Sequence, residues 1–339
     1  MTAQEPRERA AVKVSALMLT FNHGPFIGEA IEGFLMQETD FPCELVIAED
    51  CSTDNTREVI RKYWERYPDR IRVLLNRTNI GGRRGGARAY RLCRGQYVTY
   101  LDGDDCWTSP HKLQRQADLL DAHPEYALCF HSVTMVWEDG SRDDTVFRPR
   151  EIKDSYTLED LLQYNFIGAC SPMYRKGVLG EFPGWHFIMP VGDWSLHVLH
   201  AQHGRIGYID EPMGLYRQHG GGVYSGIEMT ARLRLAIEML RRYRCSLGTD
   251  YQAVIDRSLR SHYDRLARQY CDEGHLAEAR RCVRECFREV GPRLHGSLLD
   301  VLKLVFLVST PRLHKWFRRM AVGPNPRQPA PRGGVESIE

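Results

Sequence analysis

The sequence lacks a long uninterrupted hydrophobic run. Its 339 residues contain no apolar stretch of 18, the length at which a membrane-spanning helix becomes a candidate. The nearest approach, residues 298–308, is broken by Asp300 and Lys303. The polar residues 1–9 are not followed by the apolar segment of a secretory signal, so a cytoplasmic location is expected.

An excess of charge of one sign is also missing. The 46 basic and 44 acidic residues nearly cancel and leave a formal net charge of +2. A nucleic-acid-binding domain usually presents a strongly basic surface, so no nucleic-acid partner is expected.

The ten cysteines lack the spacing of a metal knuckle. Most are scattered singly within apolar runs. Cys282 and Cys286 are four residues apart, which suits one face of a helix better than a Cys-x-x-Cys metal site. Because no secretory signal is expected, this pattern predicts reduced, buried thiols.

The first part of the chain alternates strand-like and helix-like segments. Short apolar runs predict strands at 14–20, 44–48, 71–75, 97–101 and 126–132. Apolar residues at helical spacing predict helices at 24–37, 54–67, 86–93 and 109–122. This alternation, with mostly unbroken apolar strands, implies an α/β fold in which helices cover both faces of a mostly parallel sheet.

The pattern changes after the fifth predicted strand. Residues 133–136 and 145–148 flank an Asp139-Gly140 turn and predict a hairpin. Short elements follow at 158–162, 169–175 and 194–201, and helices are predicted at 227–243, 251–273 and 276–289. The chain therefore ends its strand-rich part near residue 225 and continues as helices.

Polar clusters follow three of the predicted strands. They are Thr20-Phe21-Asn22 after the first, Glu49-Asp50 after the second and Asp102–Asp105 after the fourth. In parallel sheets of this kind, ligands bind beyond the carboxyl ends of the strands. The three clusters are therefore expected to form one site.

The most acidic of these clusters is Asp102-Gly103-Asp104-Asp105. The glycine allows a tight turn and a close approach of a ligand to the backbone. Grouped carboxylate oxygens suit Mg²⁺ or Mn²⁺, with phosphate oxygens completing the coordination shell. An acidic turn that caps the helix near Ser109 remains the alternative at this point.

A glycine-rich segment at 81–86 contains Arg83 and Arg84. It has neither the Gly-Lys-Ser/Thr ending of a P-loop nor the GxGxxG spacing of a dinucleotide fold. Two interpretations stay open: a flexible basic loop that meets a phosphate or nucleoside, and a solvated loop that enters a helix.

Taken together, the motifs resemble glycosyltransferase family 2, whose members are inverting enzymes with the Rossmann-like GT-A fold. The resemblance covers residues 13–225. In chain order it is carried by LTFNH (19–23), EAIEGFLMQ (29–37), AEDCSTDNT (48–56), NIGG (79–82), GQYVTYLDGDD (95–105), GDW (192–194) and YRQHGG (216–221).

The resemblance implies a site for a nucleoside-diphosphate sugar. Thr20 and Phe21 would line the base pocket, and Asp50 would accept a hydrogen bond from the base. Asp102 would lie near the ribose and the metal, and Asp104 would be the main metal ligand. The rest of the implied donor site consists of Asn22, Glu49, Ser52, Arg83 and Gly103, with Asp105 as the rival metal ligand.

The resemblance also implies catalytic and acceptor-side roles. Asp193 would be the general base of a single displacement, although a helix N-cap is its alternative role. His219 would reach the metal or the diphosphate from a closing loop rich in glycine. Trp185 and Trp194 would lie on the acceptor side. Phe21 stands where the family more often has Tyr, and Glu49 and Gly192 also depart from the usual pattern.

The predicted organisation has four parts: a flexible N-terminus (1–12), a GT-A domain (13–225), a helical region (226–320) and a disordered tail (321–339). Residues 298–320 combine apolar and basic side chains, which fits either a helix packed on its own domain or contact with a membrane surface. A homo-oligomer also stays open.

The implied function is transfer of a sugar, with UDP or dTDP as the favoured carrier, to an acceptor hydroxyl or amine. The acceptor would be a small molecule, a glycan or a lipid-linked compound. Two alternatives remain: an inactive nucleotide- or glycan-binding scaffold, and a sugar-phosphate nucleotidyltransferase. The second lacks the basic glycine-rich loop that it needs after the first strand.

Overall fold

A computed structural model describes residues 11–220 and 226–291. The chain divides into two compact units between Ser258 and Leu259. Most of the predicted N-terminal segment 1–12, the glycines after Gly220, the basic segment 298–320 and the tail 321–339 lie outside the described residues. The predicted domain limits at 225/226 and 320/321 therefore stay predictions.

The first unit is built on a ten-stranded sheet. Its main path runs in the order β3-β2-β1-β4-β9-β6-β10-β5, while β7 pairs with β6 and β8 with β10. The strands are β1 Val14–Thr20, β2 Cys43–Glu49, β3 Ile71–Leu75, β4 Tyr97–Asp102, β5 Cys106–Trp107, β6 Tyr126–Trp137, β7 Thr145–Phe147, β8 Ser155–Tyr156, β9 Met173–Arg175 and β10 Arg205–Gln218.

The helices alternate with these strands and then continue beyond them. They are α1 Ile27–Leu35, α2 Thr56–Arg66, α3 Gly82–Leu92, α4 Lys112–Ala122, α5 Leu158–Gln163, α6 Gly192–Ala201, α7 Met229–Ser246, α8 Gln252–Glu273 and α9 Leu276–Val290. The predicted α/β class is thus confirmed, and so is the prediction that helices follow the last strand toward the C-terminus of the chain. Among residues 11–220 and 226–291, no helix is long and apolar enough to cross a membrane.

Parallel pairing fixes the end of the sheet at which the polar clusters meet. β1 lies between β2 and β4 and is parallel to both, with Thr20 opposite Glu49 and Leu19 opposite Asp102. Val14–Met18 are buried, since β1 is central in the sheet and packed on both faces. The carboxyl ends of these three strands therefore lie side by side.

β9 joins two parallel halves of the sheet. It is antiparallel to both of its neighbours, β4 and β6, and it contributes only three residues. On the far side, β6 is parallel to β10, a strand of 14 residues whose register shifts near Pro212. The predicted hairpin is present, with Val133 of β6 opposite Phe147 of β7.

No disulfide links any of the ten cysteines; seven are buried, as the pattern predicts, whereas Cys43 and Cys51 are half-buried and Cys245 is exposed. In the second unit, α9 buries Ala279, Cys282, Val283 and Cys286 on one face. The spacing of Cys282 and Cys286 thus places both thiols on the apolar side of a helix rather than in a metal site.

Helix α6 carries two buried histidines. His197 is hydrogen-bonded through Nδ1 to the hydroxyl of Tyr174 at 2.7 Å, and His200 lies against Leu196 O through Nδ1 at 3.0 Å. Burial lowers the pKa of His197 to about 3 and that of His200 to about 4. Both side chains are therefore neutral in the folded protein.

These histidines predict a loss of stability in mild acid. Their folded pKa values lie below the unfolded value, so the unfolded chain binds more protons below about pH 6.5. Stability is fully present above that pH and falls as the pH drops toward the folded values. We expect His200→Gln to reduce the slope of unfolding free energy against pH by up to about 1.4 kcal/mol per pH unit.

The measurement is urea unfolding of the wild type and the variant at several pH values between about 6.5 and 5. Equal slopes for His200→Gln and the wild type would contradict the prediction.

Candidate active site

The polar clusters after β1, β2 and β4 meet at one edge of the sheet. Backbone hydrogen bonds hold the strand ends together: Asp50 N donates to Thr20 O at 3.0 Å, and Gly103 N donates to Leu19 O at 2.9 Å. The single site predicted from the sequence is thus assembled from three adjacent loops.

Asp50 is buried and bonded to the segment that leads into α3. Its Oδ1 accepts from Asn76 Nδ2 at 3.0 Å and from Ile80 N at 2.9 Å. Its Oδ2 accepts from Gly81 N at 2.8 Å. The carboxylate thus fixes the path of residues 80–81, and the contact with the nucleotide base that the resemblance implies stays a prediction.

The loops after β1 and β2 are bonded to each other through Asn22. Its N–H donates to Ser52 Oγ at 2.9 Å, and its Oδ1 accepts from Thr53 N at 2.8 Å. Asn22 has a φ of 56° and Cys51 a φ of 66°, so both loops turn through the left-handed region. Phe21, at 40% exposure, projects beside this junction as an accessible ring.

Glu49 lies beneath this surface. Its side chain is fully buried, with Oε1 accepting from Ser52 N and Oε2 accepting from Arg57 Nε at 2.5 Å. The sequence predicts Glu49 among the donor-binding residues, but the structure places it as a support for the loop that carries Ser52. Direct contact between Glu49 and a ligand stays a prediction.

The acidic turn after β4 collects three carboxylates. One oxygen from each of Asp102, Asp104 and Asp105 lies within 4.8 Å of the others. A side chain at Gly103 would place its Cβ 2.7 Å from Thr20 Oγ1 and 2.9 Å from His23 Nδ1. Glycine is therefore required here because the turn packs closely against the loop after β1.

Burial and the crowding of negative charge raise the pKa values of two of these carboxyl groups. Burial, followed by the charges of Asp104 and Asp193, raises the pKa of Asp102 to about 8. Burial also raises the pKa of Asp105 well above its usual range. Carboxylate oxygens grouped without enough positive charge are the donor set that a hard divalent cation prefers. The residues present thus fit Mg²⁺ or Mn²⁺.

Asp104 and Asp105 differ in their surroundings. Asp104 is half-buried, and its Oδ2 lies 3.0 Å from His219 Nε2 and 3.7 Å from His23 Nε2. Asp105 is buried; its Oδ1 accepts from Arg217 N at 2.9 Å, and its Oδ2 has no hydrogen-bond partner in the described part of the chain. Of these two, Asp104 has the more accessible carboxylate.

Arg217 connects the acidic turn to its surroundings. Its Nε donates to Asp104 O at 2.8 Å, and its guanidinium pairs with Glu29 at 2.6 Å and with Glu138. The same group lies 4.8 Å from the centre of the Phe26 ring, which also contacts the His219 ring at 5.0 Å between centroids. This network fixes the end of β10, and with it His219, against the acidic turn.

The glycine-rich segment is the start of a helix rather than a flexible loop. α3 begins at Gly82, four residues before the predicted start, so Arg83 and Arg84 lie in its first turn. Arg83 Nη1 donates to Pro190 O at 3.2 Å, and its Cγ would lie 3.3 Å from a Cβ at Gly192. The arginine thus contacts the segment that precedes Asp193.

Asp193 lies in the first turn of α6. The N-cap of that helix is Val191, so the alternative role of Asp193 as the N-cap is wrong. Its Oδ1 accepts from Trp194 N at 2.6 Å, and burial raises its pKa. Because its charge also raises the pKa of Asp102, the two carboxylates share one electrostatic environment.

The two predicted acceptor-side tryptophans pack around one tyrosine. Trp185 is half-buried, Trp194 is buried, and both contact the ring of Tyr243 edge-on, at 6.1 Å and 5.7 Å between centroids. Glu138 and Tyr243 were not singled out from the sequence, and Glu29 entered only as the first residue of the segment 29–37, without a role. Nothing in the local sequence assigns these three residues a role at the site, because each belongs to a different part of the chain.

Comparison with known proteins gives a family match for the first unit. The family model described as glycosyl transferase family 2 matches residues 15–182. An uncharacterized protein of Mycobacterium tuberculosis is 39% identical over 212 residues, which cover 62% of this chain. The chain spans 60% of the length of that relative.

Two solved structures are similar to the chain in fold. Staphylococcus aureus TarS 1–349 in complex with UDP-GlcNAc has a TM-score of 0.52 at 19% identity and covers 83% of this chain and 90% of its own. A mannosyltransferase from Pyrobaculum calidifontis, in complex with GDP-Man and Mn²⁺, has a TM-score of 0.54 at 17% identity and covers 94% and 88%.

The Arg217 network predicts a stability effect. Arg217→Met keeps the aliphatic stem but removes the donors to Asp104 O and the two glutamates. We expect it to lower the free energy of unfolding by about 1 to 3 kcal/mol. Arg115→Met removes a pair with Glu211 in which the arginine side chain is 44% exposed, against 9% for Arg217, and should cost less than about 1 kcal/mol. Urea unfolding of the wild type and both variants measures the two losses in unfolding free energy, and equal losses would contradict the prediction.

Proposed function

The chain belongs to glycosyl transferase family 2 through residues 15–182, and on that premise we propose that it transfers a sugar from a nucleoside diphosphate to an acceptor hydroxyl or amine. The observation that carries the proposal is the meeting of Asp50, the acidic turn and His219 at the carboxyl ends of adjacent parallel strands. Base-binding and diphosphate-binding groups then lie along one edge of the sheet.

The donor site divides into two parts. The loops that carry Thr20, Phe21, Asn22 and Ser52 receive the base, with Phe21 offering its exposed ring for stacking. Asp50 accepts a hydrogen bond from the base N–H while it holds residues 80–81. Arg83 is bonded to Pro190 O, three residues before Asp193, and we assign its guanidinium to the diphosphate.

The acidic turn supplies the second part. Asp104, Asp102 and His219 would hold the divalent metal, with Asp105 as the alternative ligand. When bound, the metal neutralises the negative charge that develops on the leaving diphosphate. Arg217 keeps this ligand set in place because it binds Asp104 O and the segment that carries His219.

Asp193 is the general base in this proposal. It takes the proton from the acceptor as the acceptor atom bonds to the anomeric carbon, while the bond to the diphosphate breaks on the opposite face, so configuration is inverted. Burial raises its pKa, which brings the carboxylate closer to the operating pH that favours a general base. It lies in the first turn of α6 beside Trp194, which packs with Trp185 around Tyr243, and we assign this region to the acceptor.

For the carrier we keep UDP or dTDP as the favoured choice, with the acceptor a small molecule, a glycan or a lipid-linked compound. The structurally similar proteins hold UDP-GlcNAc in one case and GDP-Man in the other, so the shared fold accommodates either base. Polysaccharide assembly or glycosylation of natural products, at a cytoplasmic site, are the settings that fit such a reaction.

Replacement of Asp104, the proposed main metal ligand, should abolish the metal-dependent binding of the nucleotide. We expect UDP with Mn²⁺ to raise the unfolding midpoint of the wild type, since a ligand at 100 times its Kd stabilises by about 2.7 kcal/mol. Asp104→Asn should lose that increase and should lose sugar transfer. A thermal-shift panel of nucleoside diphosphates with and without Mn²⁺ measures both this effect and the preferred base.

Asp118→Asn is the matched control, because Asp118 is exposed on α4 and bonded only to Gln114 in the described residues. It should bind and transfer like the wild type. Full transfer activity of the wild type in excess EDTA would count against the metal, and release of pyrophosphate from a nucleoside triphosphate would favour the nucleotidyltransferase alternative.

Loss of the general base Asp193 should lower the rate of sugar transfer and leave donor binding unchanged. Asp193→Asn removes the proton acceptor with little change in shape, so we expect transfer to fall about 10²- to 10⁴-fold. The thermal shift with UDP and Mn²⁺ should be retained. Donor binding in the wild type with no turnover against any acceptor would instead support the scaffold alternative.

A further inference from the structure

The family match ends at residue 182, yet helix α7 reaches the segment around the proposed base. Val191 N, two residues before Asp193, donates to Met239 Sδ at 3.5 Å. Tyr243, one turn further along α7, is clasped edge-on by Trp185 and Trp194. α7 is therefore packed directly behind the start of α6.

Tyr243 has an uncommon environment for a phenol. Its side chain is fully buried, and its hydroxyl has no hydrogen-bond partner among residues 11–220 and 226–291. A buried hydroxyl without a partner destabilises the folded state, whereas a phenylalanine of the same shape would not. Such unpaired groups tend to be found where function, rather than stability, selects the residue.

The proposed general base, Asp193, also has a carboxylate oxygen without a hydrogen bond in the described residues. Asp193 Oδ1 accepts from Trp194 N, but Oδ2 has no hydrogen bond or ion pair within the described ranges. The charge of Asp193 acts on Tyr243, and burial together with that charge raises the pKa of the phenol well above its usual range. Tyr243 is thus a buried, protonated donor whose ring packs on Trp194, the residue that follows Asp193 and whose N–H binds Asp193 Oδ1.

We infer that Tyr243 is a positioning residue for Asp193, and that its hydroxyl donates a hydrogen bond to Oδ2 in the loaded enzyme. The bond would hold the carboxylate in one orientation toward the acceptor. Because a general base acts only within hydrogen-bond reach of the proton that it removes, this orientation matters for the transfer step. The inference rests on the proposed function and extends its acceptor side to a helix outside the matched family region.

The test is Tyr243→Phe, which removes the hydroxyl and keeps the ring between the two tryptophans. We expect kcat to fall about tenfold, with donor KM changed by less than about twofold, since the donor site is untouched. We expect the unfolding midpoint to rise by about 2 °C rather than fall, because an unpaired hydroxyl is removed. A residue that only supports the fold would not give this opposite pair of changes.

Tyr208→Phe is the control, because the Tyr208 hydroxyl is already bonded to Ser132 Oγ at 2.6 Å and to Asp210 Oδ1 at 2.7 Å. That variant should lose thermal stability and keep kcat. A double variant tests the link to the base: in an Asp193→Asn background, Tyr243→Phe should cause no further loss of residual kcat.

The outcomes separate the two proposals. If the wild type transfers sugar and Tyr243→Phe keeps its kcat, the inference about Tyr243 is overturned while the proposed function stands. A lower midpoint for Tyr243→Phe, or a full additional loss in the Asp193→Asn background, would overturn it as well. If the wild type transfers no sugar but binds UDP with Mn²⁺, the proposed function itself fails, and the inference with it.

Discussion

The mutual repulsion of carboxylates at the end of β4 is the constraint around which this edge of the sheet is built. Three oxygens within 4.8 Å of one another, largely removed from water, are unfavourable without compensating charge. Two groups lie against the turn: Arg217 donates to the backbone oxygen of Asp104, and His219 contacts the Asp104 carboxylate. Burial, followed by the charges of Asp104 and Asp193, still raises the pKa of Asp102 to about 8, and a bound cation would favour the ionised carboxylates.

The compensating groups come from the last strand, which couples the two ends of the fold. β10 carries Arg217, and His219 follows its last residue; both reach a turn that lies more than 100 residues earlier in the chain. A second long-range contact, from Arg83 to Pro190, connects the start of α3 with the segment before Asp193. The groups proposed to bind the donor and the proposed general base are thus held together by contacts between distant parts of the chain, and two of the side chains involved, Arg83 and His219, are themselves proposed ligands.

Much of the fold was predictable because its signals are local. β1 and β3 are apolar runs bounded by polar residues, and their limits match the predictions. β10 was not predicted, since Gly207, Pro212 and Gly214 interrupt its pattern and its register shifts beside them. The partner strand β6, rather than the propensity of β10 itself, determines that this segment is extended.

The candidate site shows the same division. Motif residues such as Asp104 and Asp193 were identified because they follow a strand or match a family pattern, and their roles stay predictions. Glu49 shows what sequence alone does not reveal: a carboxylate beside the site whose two oxygens are both occupied within the protein. Tyr243 shows the converse, because an unsatisfied hydroxyl is recognised only when its three-dimensional neighbours are known.

The three residues of β9 have a consequence for how the chain acquires its structure. β4 belongs to the first half of the sheet, but its outer edge is covered only when residues 173–175 insert between it and β6. During synthesis, an already paired block of β3, β2, β1 and β4 would present an open strand edge while about 70 further residues are made. Open edges of this kind recruit other chains, so the slow, non-local closure by β9 is the step at which aggregation competes with folding.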